Sequence, residues 1–254
     1  MAETLRGPAN RWRQESLKLP PVPFWGPFDH LYQKEEPFIY GYSQHVVPRA
    51  KDMPAWHHTT GYWFLDLKRN WTPEPDLIDF LSLEPKPVYI GFGSMSGQVA
   101  RNLSKIAIDA IGETNQRGIL VGGWAEAHEI NIPDYIYSCD FLPHDWLFPR
   151  VSAVVHHGGA GTIAAGLRAG VPTVVIPFMG DQPYWGQRIF ELGAGPRPVM
   201  RKNLTVELLA ERIISAIEDR SIVQSAAALG KKIREENGID KAVELIRGYL
   251  KINP

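Results

Sequence analysis

The chain has 254 residues, of which 44% are hydrophobic and 22% are charged, and its formal net charge is -1. A chain of this length and composition can bury the core of one large domain, or of one domain and part of a second. Charges of both signs are mixed along the sequence, which argues against a nucleic-acid partner. Cys139 is the only cysteine, so the composition excludes an internal disulfide framework and a cysteine metal cluster.

The start of the chain is polar and charged, unlike a secretory signal. No stretch approaches the roughly 18 apolar residues that mark a membrane-spanning helix. We therefore predict a cytoplasmic protein without a transmembrane segment, and we leave open whether it associates peripherally with a membrane.

Residues 1–85 are rich in proline and aromatic side chains, and the composition changes near residue 85. Dense prolines argue against long helices and central strands, so we predict short extended pieces and turns, with strands over Phe38–Ser43 and Gly61–Leu65. Such an aromatic segment is expected to pack on the following domain or on a partner. Adjacent side chains of a strand point to opposite faces, so at most one of His57 and His58 could bind a metal, and we predict no metal site.

Residues 86–254 alternate between short apolar runs and segments with helical spacing. The predicted strands are Val88–Phe92, Gly118–Gly123, Tyr135–Cys139, Ala153–Val155 and Thr173–Ile176. The predicted helices are Val99–Thr114, Gly161–Ala169, Gln182–Leu192, Thr205–Glu218, Ile222–Glu235 and Ile239–Ile252. This alternation predicts an α/β domain, a Rossmann-like parallel sheet with helices on both faces, preceded by a partial, irregular N-terminal region. Such sheets bind ligands at the carboxyl ends of their strands.

The segment His156–Thr162 (HHGGAGT) lies between a predicted strand and a predicted helix. Glycines allow a backbone to approach a phosphate closely, and the N-terminus of the following helix favours an anion. His157 and Thr162 can add side-chain donors. The alternative interpretation is a tight strand-to-helix turn that binds nothing.

This segment is followed by AGLRAGVP at residues 165–172 and by PFMGDQPYWG at residues 177–186. Together these motifs resemble the donor-binding signature of family 1 glycosyltransferases, in particular the branch of sterol glucosyltransferases and of glycosyltransferases from glycopeptide-antibiotic pathways. The resemblance is strong over residues 86–254 and weaker over residues 1–85. It implies a GT-B fold, whose C-terminal domain binds a nucleotide-activated sugar, and it identifies residues 1–85 as a remnant of the acceptor domain with its linker.

The resemblance also implies roles for individual residues. His157 is expected to contact the diphosphate, while Asp181 and Gln182 are expected to hold the sugar hydroxyls. The other expected substrate-binding residues are Gly93, Ser94, Phe141, Leu142, His144, Gly159, Ala160, Gly161 and Thr162. Gly93 and Ser94 correspond to a turn that meets the phosphates from the opposite side, and Phe141 to His144 correspond to the stretch that holds the base. Ala165 stands where many plant members have a glutamate for the ribose, which leaves open whether the nucleotide is UDP or dTDP.

The sequence identifies no catalytic residue, because the general base of the family lies in the first loop of an N-terminal domain that these 254 residues lack. We therefore predict a glycosyltransferase that moves a hexose, with inversion, from a UDP- or dTDP-sugar to a hydroxyl of a small hydrophobic acceptor. It would use no metal or other cofactor, and would need a partner chain that supplies the acceptor domain, or self-association. The alternatives are a nucleotide-sugar-binding protein without catalysis and a different GT-B enzyme such as an epimerase. In a simpler interpretation, Asp181 only caps a helix and His156 is structural.

Overall fold

The structure is a computed structural model that describes residues 2–23, 34–67, 71–93, 97–122 and 132–251. The chain divides into two compact units. The first comprises the residues up to Tyr40 together with Arg49–Thr59, and the second comprises Gly41–Pro48 together with all residues from Thr60 onward. The predicted boundary at residue 85 stays a prediction.

The first unit contains helix α1 (Ala2–Glu15) and two short parallel strands, β1 (Phe38–Tyr40) and β2 (His57–Thr59). Arg49 stabilises the connection between these strands, since its guanidinium donates to the carbonyl oxygens of Pro54 at 2.6 Å and His57 at 2.5 Å. The prediction that residues 1–85 contain no long helix is wrong, because α1 has 14 residues. The proline-dense stretch begins only after α1, and α1 itself contains a single proline, Pro8.

Two further predictions for this region need correction. Phe38–Ser43 forms a strand only as far as Tyr40, and Gly61–Leu65 forms no strand. Exposure nevertheless alternates along the second segment, because Tyr62 is buried while Trp63 and Leu65 are exposed. No neighbouring strand pairs with it within the described residues, so the alternation reflects packing of side chains on the following domain.

The second unit is built on a five-stranded parallel sheet of order β5-β4-β3-β6-β7. Its strands are β3 (Val88–Gly91), β4 (Gly118–Val121), β5 (Ile136–Cys139), β6 (Ala153–His156) and β7 (Thr173–Val175). Its helices are α2 (Pro75–Ser82), α3 (Gly97–Glu113), α4 (His144–Leu147), α5 (Ala160–Ala169), α6 (Gln182–Glu191), α7 (Val206–Glu218), α8 (Arg220–Arg234) and α9 (Gly238–Leu250). The predicted α/β class and parallel sheet are confirmed. The helices α2 and α4 were not predicted. The predicted strand end at Gly123 and the predicted helix end at Ile252 lie outside the described residues.

Helices cover both faces of this sheet, as predicted. Val88 and Ile90 of the central strand pack into one core cluster with α3 and α7. Tyr89 points to the opposite face and packs with Leu147 and Phe148. A strand buried on both faces is a continuous apolar run, which explains why the central strands were readable from the sequence. Within the described residues, no helix combines the length and the apolar character needed to cross a membrane.

A close approach between α5 and α8 depends on a glycine. A Cβ atom on Gly230 of α8 would lie 2.6 Å from the Cα of Gly170 and 2.7 Å from the carbonyl oxygen of Leu167. Gly170 ends α5 with φ of 75°, a left-handed conformation that favours glycine. Both neighbours are backbone, so neither can rotate away from an added methyl group.

We predict that Gly230→Ala lowers the free energy of unfolding by about 1–3 kcal/mol, because the methyl group must push α8 away from α5. Gly248→Ala is the matched control, since an added Cβ there meets nothing within 4 Å and alanine is the better helix former by about 1 kcal/mol. Urea unfolding of both variants is the measurement. Equal stability of the two variants would contradict the proposed close contact.

Candidate functional site

The glycine-rich turn after β6 is shaped by a buried histidine. The Nδ1 atom of His156 accepts a hydrogen bond from the backbone N–H of Gly158 at 3.0 Å. Gly158 has φ of 94°, and a Cβ on it would lie 2.8 Å from Cγ1 of Val175. The turn thus needs glycine for its conformation and for its contact with β7. His156 has the structural position that the simpler interpretation gave it.

The turn leads into α5 without a side-chain cap. Gly159 is the N-cap residue and makes no side-chain hydrogen bond, and the first internal bond of the helix runs from the N–H of Ile163 to the carbonyl oxygen of Gly159. The first N–H groups of a helix have no partner inside it, and they carry the positive end of the helix dipole. A Cβ on Gly161 would meet nothing within 4 Å, so the space in front of this turn is open. The arrangement suits an anion.

The imidazole of His157 lies between the two glycine turns of the sheet edge. A Cβ on Gly93 would lie 3.2 Å from Cε1 of this ring, and a Cβ on Gly159 would lie 2.8 Å from its Nε2. Gly93 has φ of 74°, so this position also favours glycine for its backbone. Burial lowers the pKa of His157, and the backbone of Gly91 partly opposes this change. The neutral form of the ring is therefore favoured at neutral pH.

A cavity of about 1140 Å³ lies at the carboxyl edge of the sheet, within the second unit. The predicted site residues that line it are Gly93, Phe141, Leu142, His144, His157, Gly161 and Thr162. Among the described residues, Gly159, Ala160, Asp181 and Gln182 are outside this lining. Ser94 lies outside the described residues. The structure therefore brings together the predicted phosphate-binding and base-binding segments, although the roles of the individual residues stay predictions.

The segment from Phe141 to His144 forms one wall of this cavity. Phe141 is 58% exposed, whereas Leu142 is buried. The His144 ring stacks on Phe148 with centroids 4.4 Å apart, and its Nε2 lies 3.2 Å from the hydroxyl of Tyr89. Burial lowers the pKa of His144, with an opposing effect from Asp145. The His144 side chain is thus held by its neighbours, which leaves Phe141 as the exposed aromatic surface of this wall.

Asp181 and Gln182 lie at the start of α6, next to the glycine turn. A Cβ on Gly158 would approach Cβ of Gln182 to 3.3 Å. The Oε1 atom of Gln182 accepts from the N–H groups of Phe178 at 2.8 Å and Met179 at 3.1 Å, so this side chain fixes the preceding loop.

The exposed carboxylate of Asp181 makes no cap hydrogen bond to α6. Instead, its Oδ2 atom accepts from the indole N–H of Trp185 at 2.8 Å. The interpretation of Asp181 as a simple helix cap is therefore wrong, because the carboxylate is oriented by Trp185 rather than by the first N–H groups of the helix. An exposed, oriented carboxylate beside the glycine-rich turn is suited to hydrogen-bonding hydroxyl groups.

Sequence reasoning missed several cavity residues, and three of them carry polar side chains that contact a neighbour. Tyr89, Asp66 and Arg168 line the cavity, and Arg168 forms an ion pair with Asp66. Tyr89 lies within a predicted strand, and the sequence does not show which face of the sheet a strand residue points to. Its place in the cavity wall could therefore be recognised only from the structure. Asp66 and Arg168 are 102 positions apart, and no local pattern connects them. Across the parts of the chain that the structure describes, no three His, Cys, Asp or Glu side chains are grouped in a way that could hold a metal ion.

The chain is similar to known proteins over most of its length. The family described as "Erythromycin biosynthesis protein CIII-like, C-terminal domain" matches residues 107–242, more than half of the chain. The sterol 3-beta-glucosyltransferase UGT80A2 of Arabidopsis thaliana is 39% identical over 97% of this chain. The chain spans only 38% of the length of that relative.

Two solved structures have the same fold. The glycotransferase of kitacinnamycin superposes with a TM-score of 0.69 at 19% identity, covering 96% of this chain and 61% of that one. The glycosyltransferase VinC, solved in complex with DTDP, superposes with a TM-score of 0.55 at 26% identity, covering 66% of this chain and 43% of that one.

The parallel sheet with helices on both faces gives the chain the fold of part of a GT-B glycosyltransferase. The chain belongs to the family of erythromycin biosynthesis protein CIII-like C-terminal domains.

The buried His156 makes stability depend on pH. Burial lowers its pKa from 6.5 to about 3, with smaller effects from His157 and His144. Between these values the unfolded chain binds a proton that the folded chain does not, so stability falls as the pH falls. In His156→Asn, the amide oxygen can replace Nδ1 as acceptor and the proton linkage disappears.

We predict that the free energy of unfolding of the original chain drops by about 2 kcal/mol more between pH 6.5 and pH 5 than that of His156→Asn. Urea unfolding at several pH values in this window measures the two slopes. Identical slopes would show that His156 is not the group responsible.

Proposed function

We propose that this chain is the donor-binding half of a glycosyltransferase that moves a hexose from a nucleotide sugar to a hydroxyl of a small lipophilic acceptor, with inversion. The observation that carries the proposal is the uncapped N-terminus of α5, which opens on the cavity beside His157 and Thr162. In the same cavity, Phe141 offers an exposed ring for a nucleobase. A nucleoside diphosphate has an anion at one end and an aromatic ring at the other, which matches these two walls.

The diphosphate is the leaving group of the reaction, and negative charge develops on it as the glycosidic bond breaks. Helix N–H groups and a dipole that are already oriented can stabilise this charge without reorganising. His157 is held between Gly93 and Gly159 and is neutral, so it can donate one hydrogen bond. Thr162 can add its hydroxyl. These groups need no metal ion, and we propose that none is used and that no cofactor besides the nucleotide sugar is needed.

We propose that Asp181 and Gln182 orient the hexose. Gln182 packs against Gly158 of the phosphate turn, so the pair lies next to the expected position of the diphosphate. A sugar held there by its hydroxyls would present its anomeric carbon for attack. The Arabidopsis relative is named a sterol 3-beta-glucosyltransferase, which supports glucose as the hexose and a sterol or similar lipid as the acceptor. DTDP in VinC supports a nucleoside diphosphate in this kind of cavity.

The acceptor hydroxyl must lose a proton to a general base. We propose no histidine or carboxylate of this chain as that base. The chain covers 38% of the Arabidopsis relative, so we propose that the acceptor site and the base lie outside these 254 residues, in the same polypeptide or in a partner chain. We also propose a cytoplasmic location, with peripheral membrane contact where the acceptor is a lipid.

The second candidate is a nucleotide-sugar-binding protein without transfer activity. This function is favoured because the chain spans only 38% of the length of the Arabidopsis relative. A donor cavity can be complete in such a chain when the acceptor site is not. Binding of UDP-glucose without transfer or hydrolysis, with a candidate acceptor domain and a sterol present, would favour this function over the first.

We predict that the chain binds UDP, UDP-glucose or dTDP-glucose with millimolar affinity or better in isothermal titration. His157→Ala should weaken binding of UDP about tenfold, since it removes a donor to the diphosphate. Asp181→Ala should leave the affinity for UDP unchanged and should reduce only the additional affinity that the glucose provides.

Two exposed residues that are not among the cavity residues provide matched controls, His45→Ala and Asp109→Ala. Both should bind all three ligands as the original chain does. Absence of binding at millimolar concentrations, with an intact fold, would refute the donor-binding function.

A further inference from the structure

The carboxylate of Asp181 is held by the side chain of Trp185. The indole N–H of Trp185 donates to Oδ2 of Asp181 at 2.8 Å, across four positions of the chain. Within the described residues this is the one hydrogen bond that the carboxylate makes, so Oδ1 keeps its acceptor positions. The indole therefore fixes the carboxylate through one oxygen and leaves the other oxygen to a ligand.

The backbone of Asp181 explains why its carboxylate bonds to a side chain. A residue that caps a helix usually has extended backbone angles, which bring its side chain to the N–H groups of the first turn. Asp181 instead has helical angles, with φ of -86° and ψ of -6°. Its carbonyl oxygen accepts from the N–H of Trp185 at 3.2 Å, so the two side chains lie on one face of the first turn.

The start of α6 is fixed relative to the glycine-rich turn by Val175 of β7. A Cβ on Gly186, next to Trp185, would lie 3.2 Å from Cγ1 of Val175 and 2.8 Å from Cβ of Pro198. A Cβ on Gly158 of the turn would lie 2.8 Å from the same Cγ1 atom. The helix and the turn therefore pack against one side chain. A carboxylate that is fixed on α6 is thus also fixed relative to the turn.

Trp185 is itself held in place by packing. Its half-buried side chain packs against the core cluster that contains Val46, Val175 and Ile189. Its ring also makes an edge contact with the ring of Tyr184, with centroids 5.2 Å apart. A buried indole usually finds a hydrogen-bond partner for its N–H group, and here the partner is the carboxylate of Asp181. The donor is therefore in position before a ligand binds.

We infer that Trp185 is a positioning residue for the donor sugar, because it holds Asp181 in the orientation that hydrogen-bonds a sugar hydroxyl. This inference rests on the proposed donor-binding function. A carboxylate that is already oriented does not have to be immobilised when the sugar binds, so less of the interaction free energy is lost. Trp185 acts through the carboxylate and needs no contact with the sugar.

The test is isothermal titration of the whole chain with UDP and UDP-glucose. The two titrations give a sugar ratio, defined as the affinity for UDP-glucose divided by the affinity for UDP. Trp185→Phe keeps an aromatic ring but lacks the N–H donor. We expect it to lower the sugar ratio about fivefold, because the carboxylate must then be immobilised on binding, and to keep the affinity for UDP. Trp185→His keeps a ring N–H group, so its sugar ratio should lie between those of Trp185→Phe and the original chain.

A double-mutant cycle separates positioning from a structural role. In the Asp181→Ala background the carboxylate is absent, so Trp185→Phe should leave the sugar ratio of that background unchanged. Loosening of α6, or direct contact of Trp185 with the sugar, would lower the ratio in both backgrounds. The matched control is Trp12→Phe, which changes an exposed tryptophan of the first unit, outside the cavity lining, and should keep both affinities.

If Trp185→Phe does not fold, Trp185 is replaced by benzothienylalanine, which keeps both fused rings and has sulfur in place of the N–H group, and the same fall is expected. The inference is overturned if removal of the N–H group leaves the sugar ratio unchanged, or if its effect persists in the Asp181→Ala background. An Asp181→Ala variant that retains the sugar ratio refutes the proposed role of Asp181, and the inference with it. A chain that binds neither probe refutes the donor-binding function itself, which is a different result.

Discussion

The whole site depends on a group of main-chain N–H donors that the protein leaves without an internal partner. The strand β6 ends at His156, the chain turns through Gly158 in a left-handed conformation, and α5 begins without a side-chain cap. Unpaired donors are costly when they are buried, so they must face either water or a ligand. The parallel sheet places them at its carboxyl edge, where the turns after β3 and β5 also lie.

Much of the surrounding structure holds this edge in place. His156 is buried and neutral, and it bonds to the turn through Nδ1. Gln182 fixes the loop before α6 while packing against Gly158. Residues that precede the sheet also contact this unit. The Nε–H group of Arg188 donates to the carbonyl oxygen of Val46 at 2.6 Å, and the hydroxyl of Ser43 donates to Oε1 of Glu236 at 2.6 Å. Residues Gly41–Pro48 are thus an integral part of the second unit.

Prediction from the sequence succeeded where the physical signal is local. A buried parallel strand is a run of apolar residues, and an amphipathic helix repeats with its own period, so β3 to β7 and α5 to α9 were recognisable. It failed for α1, because the composition of a whole region was applied to fourteen residues that contain one proline. It failed for Gly61–Leu65 because this segment packs its side chains on the core without pairing with a strand within the described residues.

The sequence by itself determined the parallel α/β fold and the glycine-rich turn, since backbone conformation and strand burial are encoded within a few residues of one another. Only the tertiary structure decided which side chains share the cavity. Asp66 and Arg168 meet across 102 positions, and the His157 ring fits between Gly93 and Gly159 from different turns. The physical reason is that such contacts arise from the packing of residues 63–67 and of neighbouring strands, and this packing depends on the core of the entire unit.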